Sequence, residues 1–261
     1  METHNTRKNY VYDGTEILVV LDGRPLNTPQ MYDNINYLNS IGLHNIVVST
    51  YSKFIPGVES GNVHFPCNYV RIDKKNGNSP FYSDPAYSFL DKDLSKELSI
   101  CYPGYIDMEN FDSNVNIQIY STLEGIRKGY TQEMEFDYIL KCRLDYQLDN
   151  KNNWITKALK DLKKIPYNTK DIFNKKVILQ SPEEWHFDDL FFFGTKEDIF
   201  RLFNIPFKSN NKVSGNYLAT AYPKSQGYNS SWKTFKKNYT IDASRYDVKG
   251  VLHAKNLKNL I

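Results

Sequence analysis

The sequence has little that suits export or a membrane. Its three cysteines, Cys67, Cys101 and Cys142, are odd in number, far apart and without a C-x-x-C pair. That argues against a disulfide scaffold and against a zinc cluster, and for reduced thiols. The opening stretch METHNTRKNYVYDG has no apolar signal-peptide core, and no apolar run approaches the ~20 residues of a membrane span. A soluble, cytoplasmic protein is expected. Charge of one sign is scarce too: 33 basic against 30 acidic residues leave a formal +3 over 261 residues. A dedicated nucleic-acid binder carries a clearer excess, so the basic runs RIDKK (71–75) and TFKKNY (234–239) read as solvated faces. Internal repeats and low-complexity blocks are absent as well.

What is present is a chain that can bury a core, 40% hydrophobic and 24% charged, of a length that suits one domain. EILVVLDG (16–23) is a short β-branched run stopped by Asp-Gly, and NIVVSTY (45–51) is a second buried-type strand. Between them a helix starting at Thr28, with Pro29 at its first position, presents Met31, Ile35 and Leu38 on one face. Strand, helix, strand over about 35 residues is a βαβ unit with a right-handed crossover. CNYVRID (67–73) reads as a third strand, and a short helix is expected within 87–104. A helix over 112–130, capped by Asp112, Ser113 or Asn114, carries the stripe Val115, Ile119, Leu123 and Ile126. Beyond it come a helix over 154–165, strands at 176–180 and 188–194, and a helix over 195–205 with Thr195 as cap. The alternation predicts an α/β fold with a mixed, mainly parallel sheet flanked by helices. An irregular C-terminal segment is expected along one edge of that sheet.

The most strand-like segment, YILKCRLDYQL (138–148), is interrupted by charge. Alternation puts Tyr138, Leu140, Cys142, Leu144 and Tyr146 on one face, with Ile139, Lys141, Arg143, Asp145 and Gln147 on the other. An antiparallel strand with one wet face accommodates such a pattern without further cause. In a central parallel strand, buried charges need a ligand, a metal or a partner. Asp145 falls near the expected carboxyl end, where open α/β sheets bind ligands.

YILKCRLDYQL, preceded by the helical NIQIYSTLEGI, resembles the signature of the WavE lipopolysaccharide-synthesis family of glycosyltransferases. ILVVLDGRPLNT with NIVVSTY, and HFDDLFFFGTKEDIFRLF further on, resemble other segments of that family in the right order, over roughly residues 16–205. The resemblance implies a GT-A-like, Rossmann-type domain over 1–261. A nucleotide-sugar half would span about 16–150, and an acceptor half with the C-terminal segment about 151–261. It also implies an Asp-x-Asp motif that holds a divalent cation on the donor diphosphate. This chain has Arg143-Leu144-Asp145 instead. Only Asp145 can ligate Mn²⁺ or Mg²⁺ there, while Arg143 can pair with a phosphate in bidentate fashion.

The same resemblance assigns the remaining site residues. Asp22, Gly23 and Arg24, after the first strand, meet the nucleotide, and Ser49 and Thr50 end the second strand on the same edge. A solvent-facing turn explains the first group equally well, and loop capping the second. Gln118 and Thr122, one helical turn apart, face the donor with Lys141, Arg143 and Asp145. In SPEEWHFDDLFFFG (181–194), Asp189, with Asp188 close behind, is the expected base that deprotonates an acceptor hydroxyl in an inverting transfer. Trp185 suits stacking on a sugar ring or packing in the core. His253 is a candidate to complete a metal site with Asp145. The expected function is transfer of a sugar from a UDP- or GDP-sugar to a glycan acceptor. A non-catalytic carbohydrate-binding protein is the main alternative. A metal-dependent phosphoesterase using Asp22, Asp145 and Asp189 is the third, with fewer paired carboxylates than a two-metal site needs.

Overall fold

The computed structural model describes residues 16–23, 28–51, 68–72, 114–148, 153–168, 170, 173–179, 191–204, 237–246 and 252–253. The chain opens with β1 (Ile17–Asp22), α1 (Thr28–Ser40), β2 (Ile46–Tyr51) and β3 (Asn68–Ile72). Next come α2 (Asn114–Thr131), β4 (Tyr138–Arg143), β5 (Tyr146–Gln147) and α3 (Trp154–Lys164). β6 (Val177–Leu179), β7 (Phe191–Thr195), α4 (Lys196–Phe203), β8 (Thr240–Asp242), a 3₁₀ turn (Ala243–Tyr246) and β9 (Leu252–His253) complete it. Seven strands form one sheet in the order β3-β2-β1-β4-β7-β6-β8, and β5 with β9 forms a separate ladder. β1, β2, β3 and β4 run parallel, as do β6 and β8, while β7 is antiparallel to both its neighbours. The sheet is therefore mixed and mainly parallel, with β1 and β4 paired at its centre.

Strands at the centre of such a sheet are covered on both faces, so β1 reads as an unbroken apolar run rather than an alternating one. All six of its residues are buried. On one face Ile17, Val19 and Leu21 of β1 join Leu140, Cys142, Phe191 and Phe193 beneath α1 and α3. The predicted stripe of α1, Met31, Ile35 and Leu38, lies wholly in this core. α1 ends where Gly42 takes φ +89°, a conformation that suits glycine, and Leu43 N–H donates back to the Leu38 carbonyl at 3.0 Å.

The other face carries α2 and α4. Gly125 and Gly129, one turn apart on α2, sit directly over Val20 and Leu18 of β1. A Cβ at Gly125 would lie 2.5 Å from a Val20 methyl, and one at Gly129 2.8 Å from a Leu18 methyl. The glycines therefore let the helix backbone approach the sheet. α4 begins as the sequence predicts, with the Thr195 side chain accepting from Asp198 N–H at 3.2 Å.

One boundary differs from expectation. The single long strand over 138–148 is two: β4 stops at Arg143, residues 144–145 turn, and β5 leaves the main sheet. Leu144 N–H donates to the Asp22 carbonyl at 2.8 Å, after which α1 rather than β1 supplies partners to the chain. Asp145 thus lies in the turn, not on the charged face of the strand. β7 is described from Phe191, and residues 188–190 of the expected strand lie outside the described residues. The expected short helix within 87–104 lies outside the described residues.

Candidate functional site

Because β1, β2 and β4 are parallel, their carboxyl ends share one edge, and ligands of open α/β sheets bind there. Asp22 stands at that edge, in register with Ser49 of β2 and Arg143 of β4. Gly23 follows with φ +90°, turning the chain away; its N–H donates to the Ser49 carbonyl at 3.1 Å and its carbonyl accepts from Thr50 Oγ1 at 2.7 Å. Ser49 and Thr50 are both fully buried. Ser49 Oγ has no hydrogen-bond partner among the described residues.

The Asp22 carboxylate is 1% exposed and is held from three sides. Ser121 and Thr122 of α2 donate to its Oδ2 at 3.2 and 3.1 Å, and Lys141 Nζ lies 3.2 Å from Oδ1. Burial raises the Asp22 carboxyl above its ordinary range, against the pull of Lys141, Arg143 and the Thr122 hydroxyl. Lys141 is 0% exposed, and its ammonium also lies 5.5 Å from the Phe192 ring centre and 5.7 Å from that of Phe203. One of the charges that interrupt the strand is therefore an internal ion pair between the two central strands. Gln118 and Thr122, expected to face a donor, are buried on α2, and Thr122 is engaged by Asp22.

Arg143 and Asp145 behave differently. Both are partly exposed, and they form a bidentate pair, Nε to Oδ1 at 2.8 Å and Nη2 to Oδ2 at 2.5 Å. The guanidinium carbon is 5.5 Å from the centre of the Tyr146 ring. A planar cation is thus held at the carboxyl edge of the parallel strands, oriented by one carboxylate and one aromatic ring. β5 pairs with β9 so that His253 is opposite Tyr146, one residue past Asp145. Among the described residues no three His, Cys, Asp or Glu converge as a metal site. With both Asp145 oxygens on Arg143, the described donor set does not hold a divalent cation by itself. Arg24, Asp188, Asp189 and Trp185 lie outside the described residues.

Sequence reasoning passed over Gln30 and Asn34. They sit on the apolar side of α1, buried to 7% and 1% exposure beside Met31 and Ile35. Their signal was available: two amides at i and i+4 inside a helix's buried stripe need partners. Asp198 was missed as well. Its carboxylate accepts from Asn174 and Lys175 N–H, each at 2.8 Å, and ties that segment to the start of α4.

The fold and this edge define an α/β protein with a guanidinium–carboxylate pair presented beside the ends of three parallel strands. The WavE lipopolysaccharide synthesis family model matches residues 102–250, which take in β4, the Arg143–Asp145 pair and α4. That is more than half of the chain, and the chain belongs to this family. Among solved structures it is similar to the 4-diphosphocytidyl-2C-methyl-D-erythritol synthase of Anaerococcus prevotii DSM 20548. The likeness is 10% identity and a TM-score of 0.41, over 94% of this chain and 100% of that one. No curated protein matches. No helix among the described residues is long and apolar enough to cross a membrane.

Proposed function

We propose that the chain is a nucleotide-sugar-dependent glycosyltransferase that moves a sugar from a UDP- or GDP-sugar to a glycan hydroxyl. The observation that carries this reading is the Arg143–Asp145 pair at the carboxyl edge of β4, in a member of a lipopolysaccharide synthesis family. A guanidinium offers two parallel N–H donors that match phosphate geometry. Arg143 then takes the charge of the donor diphosphate, and Asp145 holds its plane. Gly23 leaves room beside the nucleotide, with Arg24 adjacent. The acceptor hydroxyl loses its proton to Asp189, with Asp188 as the neighbouring acid, as its oxygen bonds to the anomeric carbon. In the same inverting displacement the bond from that carbon to the diphosphate breaks, and the nucleoside diphosphate leaves against Arg143.

The pairing of His253 opposite Tyr146 favours one variant of this reading, in which Asp145 and His253 hold Mn²⁺ or Mg²⁺ once Arg143 has moved to phosphate. Nucleotide release from a panel of UDP-, GDP-, dTDP- and CMP-sugars, with Mn²⁺ or with EDTA, tests both. Release from one donor that persists in EDTA and falls roughly 10–100-fold in Arg143→Ala is expected, from the 1.5–3 kcal/mol of a charge-assisted hydrogen bond. Loss of release in EDTA selects the metal variant. If no donor is turned over, the transferase reading is wrong.

A further inference from the structure

The pair at the edge of β4 stands on a segment with few ladder bonds of its own. β4 ends at Arg143, and β5 is only two residues long. Three side-chain bonds from α1 reach across to it. Gln30 Nε2 donates to the Tyr146 carbonyl at 2.7 Å, and Asn34 Nδ2 donates to the same oxygen at 2.6 Å. Asn34 Oδ1 accepts from Leu148 N–H at 3.0 Å. Asn34 therefore engages the main chain as a neighbouring strand would, one donor and one acceptor to residues two apart. Tyr146, whose carbonyl takes both amides, also lies under the Arg143 guanidinium and faces His253 across the β5–β9 ladder.

We propose that Gln30 and Asn34 are positioning residues, which act through Tyr146 to hold the Arg143–Asp145 pair in the orientation that receives a donor diphosphate. The role is to replace a missing strand. Where the sheet stops, two buried amides continue its hydrogen bonding for two more residues, so the turn that carries the pair is fixed from α1. The consequence for the donor rests on the transferase reading; the clamp itself does not.

The test uses the full chain as wild type, Asn34→Ala, the milder Gln30→Ala, and Leu162→Ala as a control. Leu162 is fully buried on α3, beside Lys163, which pairs with Glu16 at the opposite edge of the sheet. Amide hydrogen exchange of residues 143–148 and calorimetric titration with UDP and GDP are measured well below the unfolding transition. Asn34→Ala should speed exchange over 143–148 and weaken binding of the preferred nucleotide, each by about tenfold, with a smaller effect in Gln30→Ala. Leu162→Ala should destabilise the protein yet leave both readouts at wild-type values. Unchanged exchange in both α1 variants, or an equal effect in Leu162→Ala, overturns the clamp. Faster exchange with unchanged nucleotide affinity overturns its role in donor binding. A wild type that binds neither nucleotide defeats the transferase reading itself, which the exchange data leave separable from the clamp.

Discussion

At the scale of single residues, the question raised by charge in the central strand has two answers two positions apart. Lys141 points into the α2–α4 side and finds Asp22; Arg143 reaches the edge and finds Asp145. Strand periodicity put both on one face, correctly, but burial depends on where the strand ends and on which helix covers it. Removing one member of a buried pair leaves an uncompensated charge, so Lys141→Met should lose about 3–5 kcal/mol in urea unfolding. Asp22→Asn combined with Lys141→Met should recover much of that loss, because no lone charge remains. Cys142 supplies a second expectation. Burial pushes its thiol up to about 12, with Asp22 adding to the shift and Lys141 opposing it. The native protein at pH 8 should therefore leave Cys142 unlabelled by a thiol reagent that modifies it in denaturant.

Helices and strands were legible wherever their own periodicity decided the matter. The stripes Met31, Ile35, Leu38 and Ile119, Leu123, Ile126 are all fully buried, and the Thr195 cap is in place. What could not be read locally was set by neighbours: the early end of β4, fixed by Leu144 bonding to Asp22 and by the amides of α1, and the close approach of α2. Gly125→Ala tests that approach. A methyl 2.5 Å from Val20 Cγ1 must displace strand or helix, and overpacking of this kind costs about 1–3 kcal/mol. Adding Val20→Ala should restore part of the loss, which thermal unfolding of the two variants would show. Asp198 belongs to this scale because it joins two elements. Burial raises its carboxyl to about 6, above the ordinary 3.8, despite the N–H groups of Lys175 and Asn174. The folded state then binds more protons than the unfolded between about pH 4 and 6. Its contribution to stability, complete below about pH 4, is lost as pH rises through 6, on the order of 2–3 kcal/mol. Asp198→Asn should flatten that part of the profile, read as the difference in urea stability between the two proteins from pH 4 to 7.

For the molecule as a whole, βαβ alternation was enough to state an α/β sheet with parallel strands, because EILVVLDG and the strand at 138–148 were each followed by an amphipathic stretch. The order of strands was not legible, since adjacency in the sheet skips along the chain: β4 returns to β1, and β7 folds back antiparallel beside it. The return of β9 to β5 has the same character, and it links the chain's end to the turn after Arg143. Deleting residues 251–261 should leave the seven-stranded sheet, with little change in circular dichroism, but speed amide exchange over residues 143–148; on the proposed transferase reading it should also weaken nucleotide binding. The central position of β1 has a further consequence, for how the protein is made. Its pairing edge for β4 is completed only when the ribosome has added roughly 120 more residues, about 6–25 s at ordinary elongation rates. Throughout that interval the nascent chain carries an apolar parallel strand open on one side, so occupancy by a holdase chaperone should peak before residue 138 emerges and fall once β4 is available.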